Sequence, residues 1–339
     1  MTSSWYRVLI LSPGQDTAGI GARLREMLLT HVPGMDVVAV RSSETYLQFP
    51  RHLEWSWPQV HQLAERAQLI HIHNHVIIPD LLRYFVDRPL VIHHHGTIFR
   101  DEPEPMLAAA DEYKAVSVVS TLDLTMFRKD IRWLPSPITV DWMASLRAKY
   151  YQPAEKIRIV HAPTNRAVKD TALFIETIAA LKAKGLPVEG MVIEGMPWAE
   201  CLKMKARHAD IFYDQLQLGY GQNALEMWAM GVPVVAGASP GYEAIFRARL
   251  GSMPYHRATP ATLAARLEDL VRNEALRREE AARGHEYVRR WHDYPRVADL
   301  TLEAYAEAAR RKGQSLPARL PSPSWPSVQS AEAPQALPA

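Results

Sequence analysis

An α/β fold built on largely parallel sheets is the class this sequence predicts, and three observations carry it. Short apolar runs recur along the chain, and stretches of helical character lie between them. Glycine- or proline-bearing turns follow several of these runs. Strands alternating with helices in this way pack as parallel sheets with helices on both faces. The 339 residues suffice for two domains, each with its own core.

The elements follow in order. Arg7–Leu11 reads as a buried strand and Gly19–Thr30 as the helix after it. Met35–Val40, Leu69–His73, Leu90–His93 and Val116–Ser120 continue the first series of strands. Leu134-Pro135-Ser136-Pro137-Ile138 breaks the pattern with two prolines and reads as an interdomain connection. A second series begins with the strand Ile157–His161 and the helix Thr171–Gly185, which ends on glycine. Met191–Glu194, Ile211–Tyr213 and Val232–Val235 read as further strands, Thr262–Trp291 as largely helical, and Val297–Lys312 as a last helix. From Gly313 the chain is rich in Pro, Ser, Ala and Gln without hydrophobic period, which predicts a disordered tail.

Composition sets outer bounds. Hydrophobic residues at 47% and charged residues at 22% suit a soluble globular chain. A net charge of +2 gives no global field for nucleic acid or membrane. The single cysteine, Cys201, excludes an intramolecular disulfide and fits a reducing compartment. The apolar run Val8–Leu11 is too short for a signal-peptide core, and none reaches the roughly 18 residues of a membrane helix. The expectation is a cytoplasmic protein.

The most informative stretch is Gly219-Tyr220-Gly221-Gln222-Asn223-Ala224-Leu225-Glu226-Met227-Trp228-Ala229-Met230-Gly231-Val232-Pro233-Val234-Val235-Ala236. It reads as a glycine loop, a short helix, a glycine stop and a buried strand. The glycines allow close backbone approach to a ligand. The first amides of the helix lack intrahelical partners and attract anions, phosphate above all. Glu226, a turn or more into the helix, is placed to hold hydroxyls of the same ligand. A phosphate linked to a polyhydroxylated group fits these parts.

This run resembles the C-terminal signature of nucleotide-sugar glycosyltransferases of the GT-B fold, of the retaining group 1 type. Leu225-Glu226-Met227 and Ala229-Met230-Gly231-Val232-Pro233-Val234-Val235-Ala236 carry the resemblance. The family's first glutamate, which touches the donor sugar there, would fall at Leu218; Asp214, four residues earlier, is the candidate substitute. The resemblance implies two Rossmann-like domains facing each other across a cleft. Residues 1–137 would form an acceptor domain and 138–292 a nucleotide-sugar donor domain. Residues 293–312 would cross back to the first domain, with 313–339 as the tail. It also implies sugar transfer from a nucleoside-diphosphate sugar to a hydroxyl acceptor, with retention, without metal and without a cofactor.

His161-Ala162-Pro163-Thr164-Asn165-Arg166-Ala167-Val168-Lys169-Asp170-Thr171 lies between a strand and a helix. Arg166 and Lys169, three apart, are placed to face the same way, and carboxyl ends of parallel strands are where such sheets bind ligands. The segment resembles the family's diphosphate loop, which makes both cations candidates to neutralise a departing diphosphate. Gly19 and Gly21, after the first strand, permit a tight turn and resemble the family's N-terminal glycine loop at the donor phosphate.

His71, His73 and His75 alternate along one strand, and His93, His94 and His95 cluster at the end of another. No carboxylate or thiolate at metal-site spacing accompanies them, so no metal is expected; His71 reads as a buried hydrogen-bonded residue and His73 and His75 as candidate cleft-lining groups. His95-Gly96 resembles the family's active-site histidine. Glu243 reads as a helix-start charge, and Trp198 and Trp228 as packing residues. The site residues are thus His95, Arg166 and Lys169 for catalysis, with Gly19, Gly21, Asp214, Gly219, Tyr220, Gly221, Gln222 and Glu226 binding the donor. Leu218 also leaves open a non-catalytic binding protein on the same fold, and a sugar-nucleotide epimerase is the second alternative. Acceptor recognition is expected in loops at Ser42–Trp57 and Thr97–Met106.

Overall fold

The computed structural model describes residues 6–14, 17–42, 53–74 and 78–317. His75, most of the expected acceptor loop at 42–57 and the tail beyond 317 lie outside the described residues. The chain divides into two compact units. Unit 1 holds residues 1–120, 130–134 and 298–339; unit 2 holds 121–129 and 135–297.

Unit 1 contains, in chain order, β1 Tyr6–Ser12, α1 Ile20–His31, β2 Met35–Arg41, β3 Leu53–Glu54, α2 Trp57–Arg66, β4 Leu69–His73, α3 Leu82–Asp87, β5 Leu90–His94, α4 Gly96–Asp101, α5 Pro103–Glu112, β6 Val116–Val119 and β7 Arg132–Trp133. The seven strands pair in the order β3-β2-β1-β4-β5-β6-β7. Every neighbouring pair is parallel. Their continuous apolar character follows from burial on both faces. Leu9, Leu11, Ile70, Ile72, Ile92 and Phe85 form part of one core cluster. The order reverses between β1 and β4, which is where such sheets leave a crevice at the carboxyl ends. The segment Thr97–Met106, expected as a loop, instead contains α4 and the start of α5; Pro103 sits at the first position of α5, where its missing N–H costs nothing.

Unit 2 contains α6 Val140–Tyr150, β8 Ile157–His161, α7 Thr171–Ala183, β9 Val188–Val192, α8 Trp198–His208, β10 Ile211–Tyr213, β11 Leu218–Gly219, α9 Gln222–Ala229, β12 Val234–Ala238, α10 Pro240–Leu250, β13 His256–Arg257, α11 Leu263–Arg272 and α12 Glu274–Trp291. The last helix, α13 Tyr294–Arg311, starts in unit 2 and passes into unit 1 at Ala298. The sheet order is β11-β12-β10-β8-β9, with β13 paired to β12 and only β11 antiparallel. Ile159, Phe174, Ile178, Tyr213, Val235 and Leu267 belong to its core. Here the order reverses between β8 and β10.

Three of the departures from the boundaries the sequence predicts have a local physical reason. β9 begins at Val188 rather than Met191. Glu189 and Gly190 interrupt the apolar run, yet glycine is required there because a Cβ would lie 2.7 Å from Ile178 Cγ2. β12 starts at Val234 rather than Val232, because Pro233 precedes the ladder and cannot donate to it. The helix expected over 262–291 is two helices, broken at Asn273, whose Oδ1 accepts the Leu276 N–H at 3.0 Å and caps α12.

Two buried histidines make unit 2 acid-sensitive. His161 Nδ1 lies 3.0 Å from the Tyr213 carbonyl and its Nε2 2.9 Å from Thr171 Oγ1. His292 Nδ1 lies 2.9 Å from the Ser136 carbonyl. Burial pulls both from the ordinary 6.5 down to about 4. The unfolded chain therefore takes up protons near pH 6.5 that the folded one refuses until about 4. Stability from these two groups is complete above the unfolded value and falls as pH drops, by about 1.4 kcal/mol per pH unit for each. Urea unfolding followed from neutral to mildly acidic pH should show this decline; a constant midpoint over that window contradicts it.

Candidate functional site

The carboxyl ends of β8 and β10 flank the switch point of unit 2, and most of the expected site residues gather there. After β8 the chain turns through 162–170. Asn165 Oδ1 accepts the N–H groups of Ala167 and Val168 at 3.0 and 3.2 Å. Asp170 takes a left-handed conformation at φ 51° and accepts the Leu216 N–H at 3.3 Å. That bond ties the loop after β8 to the loop after β10.

Lys169 Nζ lies 2.6 Å from Asp214 Oδ1, and Asp214 Oδ2 accepts the Gly221 N–H at 2.5 Å. Asp214 is 2% exposed. One buried carboxylate thus sits where a cation and a loop amide converge, the arrangement that also holds a phosphate oxygen. A Cβ on Gly221 would lie 3.1 Å from Lys169 Nζ, so the absent side chain lets the lysine approach. Gly219 stands at φ +73°, and a Cβ there would fall 2.6 Å from the Tyr242 ring. Gly221 precedes α9 and no side chain caps that helix start. Both amide atoms of Gln222 are buried without a hydrogen-bond partner among the described residues. Leaving a buried polar atom unpaired costs about 1–3 kcal/mol.

Arg166 does not share Lys169's partner. The segment is a turn rather than a helix, so the three-residue spacing does not align the two side chains. Arg166 forms a two-pronged pair with Glu194, with Nε 2.9 Å from Oε2, on the exposed side of the loop. The Glu194 carboxylate raises the Arg166 pKa above its ordinary value.

Two expected donor residues point inward. The Tyr220 hydroxyl meets that of Tyr287 and lies 3.4 Å from His292 Nε2, and its ring packs edge-on to Trp228 with centroids 5.1 Å apart. Burial raises its pKa well above 10. Only its backbone belongs to the loop surface. Glu226 is 1% exposed, pairs with the fully buried Lys205 and accepts the Trp198 Nε1–H at 2.9 Å. Lys205 also donates to Asn223 Oδ1 at 2.7 Å, and Asn223 Nδ2 donates to the Ala162 carbonyl at 2.7 Å. The network joins α8, α9 and the loop after β8. Trp198, expected to serve packing alone, is therefore also a hydrogen-bond donor. Trp228 is buried against α12, where a Cβ on Gly284 would come 2.0 Å from its ring. Glu243 lies in the first turn of α10 as expected, with Arg247 and Arg257 on its carboxylate.

Leu218, at the position of the family's first glutamate, lies in β11 opposite Ala238. In unit 1, Gly19 at φ 69° precedes α1, and Gly21 is buried in its first turn. His95 precedes α4 at the end of β5; its N–H donates to Asn74 Oδ1 at 2.7 Å and its Nε2 lies 2.8 Å from His73 Nδ1. Burial, then the neighbouring His73, lowers its pKa well below 6.5, so its imidazole is neutral. Sequence reasoning missed Lys205 and the placement of His93 opposite His73 in the β4–β5 ladder.

If Glu226 is fixed by Lys205, Lys205→Met should cost about 3–5 kcal/mol, because it leaves a buried carboxylate without its cation. Lys205→Met combined with Glu226→Leu should recover most of that loss. Denaturant midpoints of the two variants decide it, and equal losses would show that the pair is not coupled.

Residues 216–303 match the sequence profile of the glycosyl transferase-like family. No curated protein gives a significant match. Solved structures match over nearly the whole chain. An alpha-glucosyltransferase in complex with UDP-glucose and DNA containing an abasic site aligns with TM-score 0.63 and 12% identity, over 88% of this chain and 98% of that one. Sucrose-phosphate synthase from Thermosynechococcus elongatus aligns with TM-score 0.60 and 14% identity, over 88% and 98%. HepE of Anabaena in complex with UDP aligns with TM-score 0.61 and 13% identity, over 88% and 98%. The profile bears out the resemblance over residues 216–303, and the solved structures show the fold that it implies. Residues 216–303 carry the sequence of the glycosyl transferase-like family, and the chain has the GT-B fold of the glycosyltransferases it resembles.

Proposed function

We propose that the protein transfers a glycosyl group from a nucleoside-diphosphate sugar to a hydroxyl-bearing acceptor. The observation that carries this reading is the convergence of Lys169 and the Gly221 amide on one anion position at the switch point of unit 2. The unpartnered Gln222 amide at the start of α9 supports it. Two of the similar structures hold UDP or UDP-glucose, which favours a uridine nucleotide as donor.

In this reading the diphosphate lies along the start of α9, where Lys169, the loop amides and the Gln222 side chain meet its oxygens. Arg166 joins by exchanging Glu194 for phosphate. As the bond from the anomeric carbon to the leaving oxygen breaks, negative charge grows on the diphosphate. Fixed donors aimed at that charge lower the barrier because they interact more strongly with the transition state than with the bound donor. The acceptor oxygen takes the anomeric carbon and its proton passes to the leaving phosphate, so no protein nucleophile is needed and configuration is retained. The positive groups that a divalent ion would otherwise supply are Lys169, Arg166 and the helix start. Asp214 orients Lys169 and Gly221, and Glu226 fixes α9 through Lys205. The backbone after Gly19 and the neutral imidazole of His95 are assigned to the reacting sugar and its phosphate. Leu218 in place of an acidic residue favours one competing outcome, a protein that binds the donor without transferring it.

The test is a thermal-shift and turnover screen of uridine, guanosine, adenosine and thymidine diphosphates and their sugars. A ligand that binds only the folded state raises the melting temperature. One nucleotide class should do so and release nucleoside diphosphate on turnover. Lys169→Ala should weaken its binding by about 1.5–3 kcal/mol, and Arg166→Ala by a similar or smaller amount because its side chain starts exposed and paired. Calorimetry giving unaltered affinity in Lys169→Ala removes the site, and binding without turnover selects the non-catalytic reading.

A further inference from the structure

Unit 1 contains a group of buried histidines that the transfer reaction does not use. His71 and His73 lie on β4, and His93 lies on β5 opposite His73 in the ladder. Their exposures are 0%, 3% and 0%. The ring planes lie within 10°, 27° and 29° of parallel, with centroids 5.0 Å apart for His71 and His73, 5.3 Å for His71 and His93, and 5.1 Å for His73 and His93. One ring nitrogen from each of the three lies within 4.8 Å of the others.

We propose that His71, His73 and His93 form a binding site for a divalent transition-metal ion of the zinc type. Imidazole nitrogens bind such an ion at about 2.0–2.1 Å, which sets tetrahedral ligand nitrogens about 3.3–3.4 Å apart. His71 Nε2 and His93 Nδ1 already lie 3.3 Å apart. The third nitrogen, on His73, lies within 4.8 Å of both and must move inward to complete the set.

The surroundings suit a metal. His71 Nδ1 is 3.0 Å from the Tyr305 hydroxyl. When the ring donates there, its Nε2 keeps a lone pair toward the other rings; an outer hydrogen bond of this kind orients metal-bound histidines. His95 Nε2, 2.8 Å from His73 Nδ1, holds the second ring in the same way. His93 presents Nδ1 toward His71 Nε2, and it ligates through that atom when its proton sits on Nε2. Burial keeps His71 and His93 neutral, the form that ligates. Three neutral imidazoles with no carboxylate suit zinc, nickel or copper rather than magnesium or calcium. Such an ion would clamp β4 to β5 and, through Tyr305, to α13. His71, His73, His93 and Tyr305 have no part in the proposed transfer, so the inference does not rest on that reading.

The test uses the full chain, free of any affinity tag and stripped of metal by a chelator. Co(II) should produce visible ligand-field absorption that saturates at one equivalent and is displaced by Zn(II), and Zn(II) should raise the melting temperature. His93→Asn should weaken Co(II) binding at least tenfold. Tyr305→Phe, which keeps the ring and removes the outer hydroxyl, should weaken it about tenfold. No absorption and no thermal shift in the unmodified chain overturns the site, as does an affinity in Tyr305→Phe within twofold of the original. If His93→Asn fails to fold, the Co(II) affinity of Tyr305→Phe decides between the two outcomes.

Discussion

The Asp214 carboxylate is the contact on which the loop arrangement at the carboxyl end of the unit 2 sheet depends. It is buried, and it accepts from a cation on one loop and an amide on another. A carboxylate out of water is stable only when its charge is matched and its oxygens are hydrogen-bonded. Lys169 and the Gly221 N–H meet both conditions. Asp170 adds a second tie between the same loops through the Leu216 N–H. Two segments that belong to different strand ends are thereby held at one position, at the place where the strand order reverses. A fixed cation and fixed amides are what a departing diphosphate requires.

That geometry explains two features that composition leaves unaccounted for. A Cβ at 221 would press on Lys169 Nζ at 3.1 Å, and glycine is needed at 219 because of its left-handed backbone and the Tyr242 ring. Below this layer lies a second buried ion pair, Lys205 with Glu226, joined to the first loop through Asn223 and the Ala162 carbonyl. Removing one member of such a pair is costly, whereas the intact pair adds little net stability. Its effect is to specify where α9 starts relative to β8.

The strands were legible because burial on both faces writes continuous apolar runs: Leu69–His73, Ile157–His161 and Ile211–Tyr213 coincide with the structure. The loops at 162–170 and 214–222 were legible through glycine, proline and charge at strand ends. Side-chain partnerships across helices were not. Lys205 lies 21 residues before Glu226 on another helix, and nothing in the local pattern marks it. Tyr220 sits between two glycines of an exposed-looking loop, yet its ring turns into the aromatic core around Tyr287 and Trp228. The histidines of β4 and β5 were visible as clusters, but their convergence depends on the ladder register that sets His73 opposite His93. Asn273, one polar residue inside a helical stretch, was hidden as a cap because both flanking segments share the same period.

The central claim is that Lys169, the Gly221 amide and Gln222 receive the diphosphate of the donor. Crystals of the protein soaked with the nucleoside diphosphate that binds it test this most directly. The account predicts phosphate density within hydrogen-bond distance of Lys169 Nζ and the Gly221 N–H, at the start of α9. Phosphate density elsewhere in the protein, with the Lys169–Asp214 pair and the Gln222 amide untouched, would contradict it.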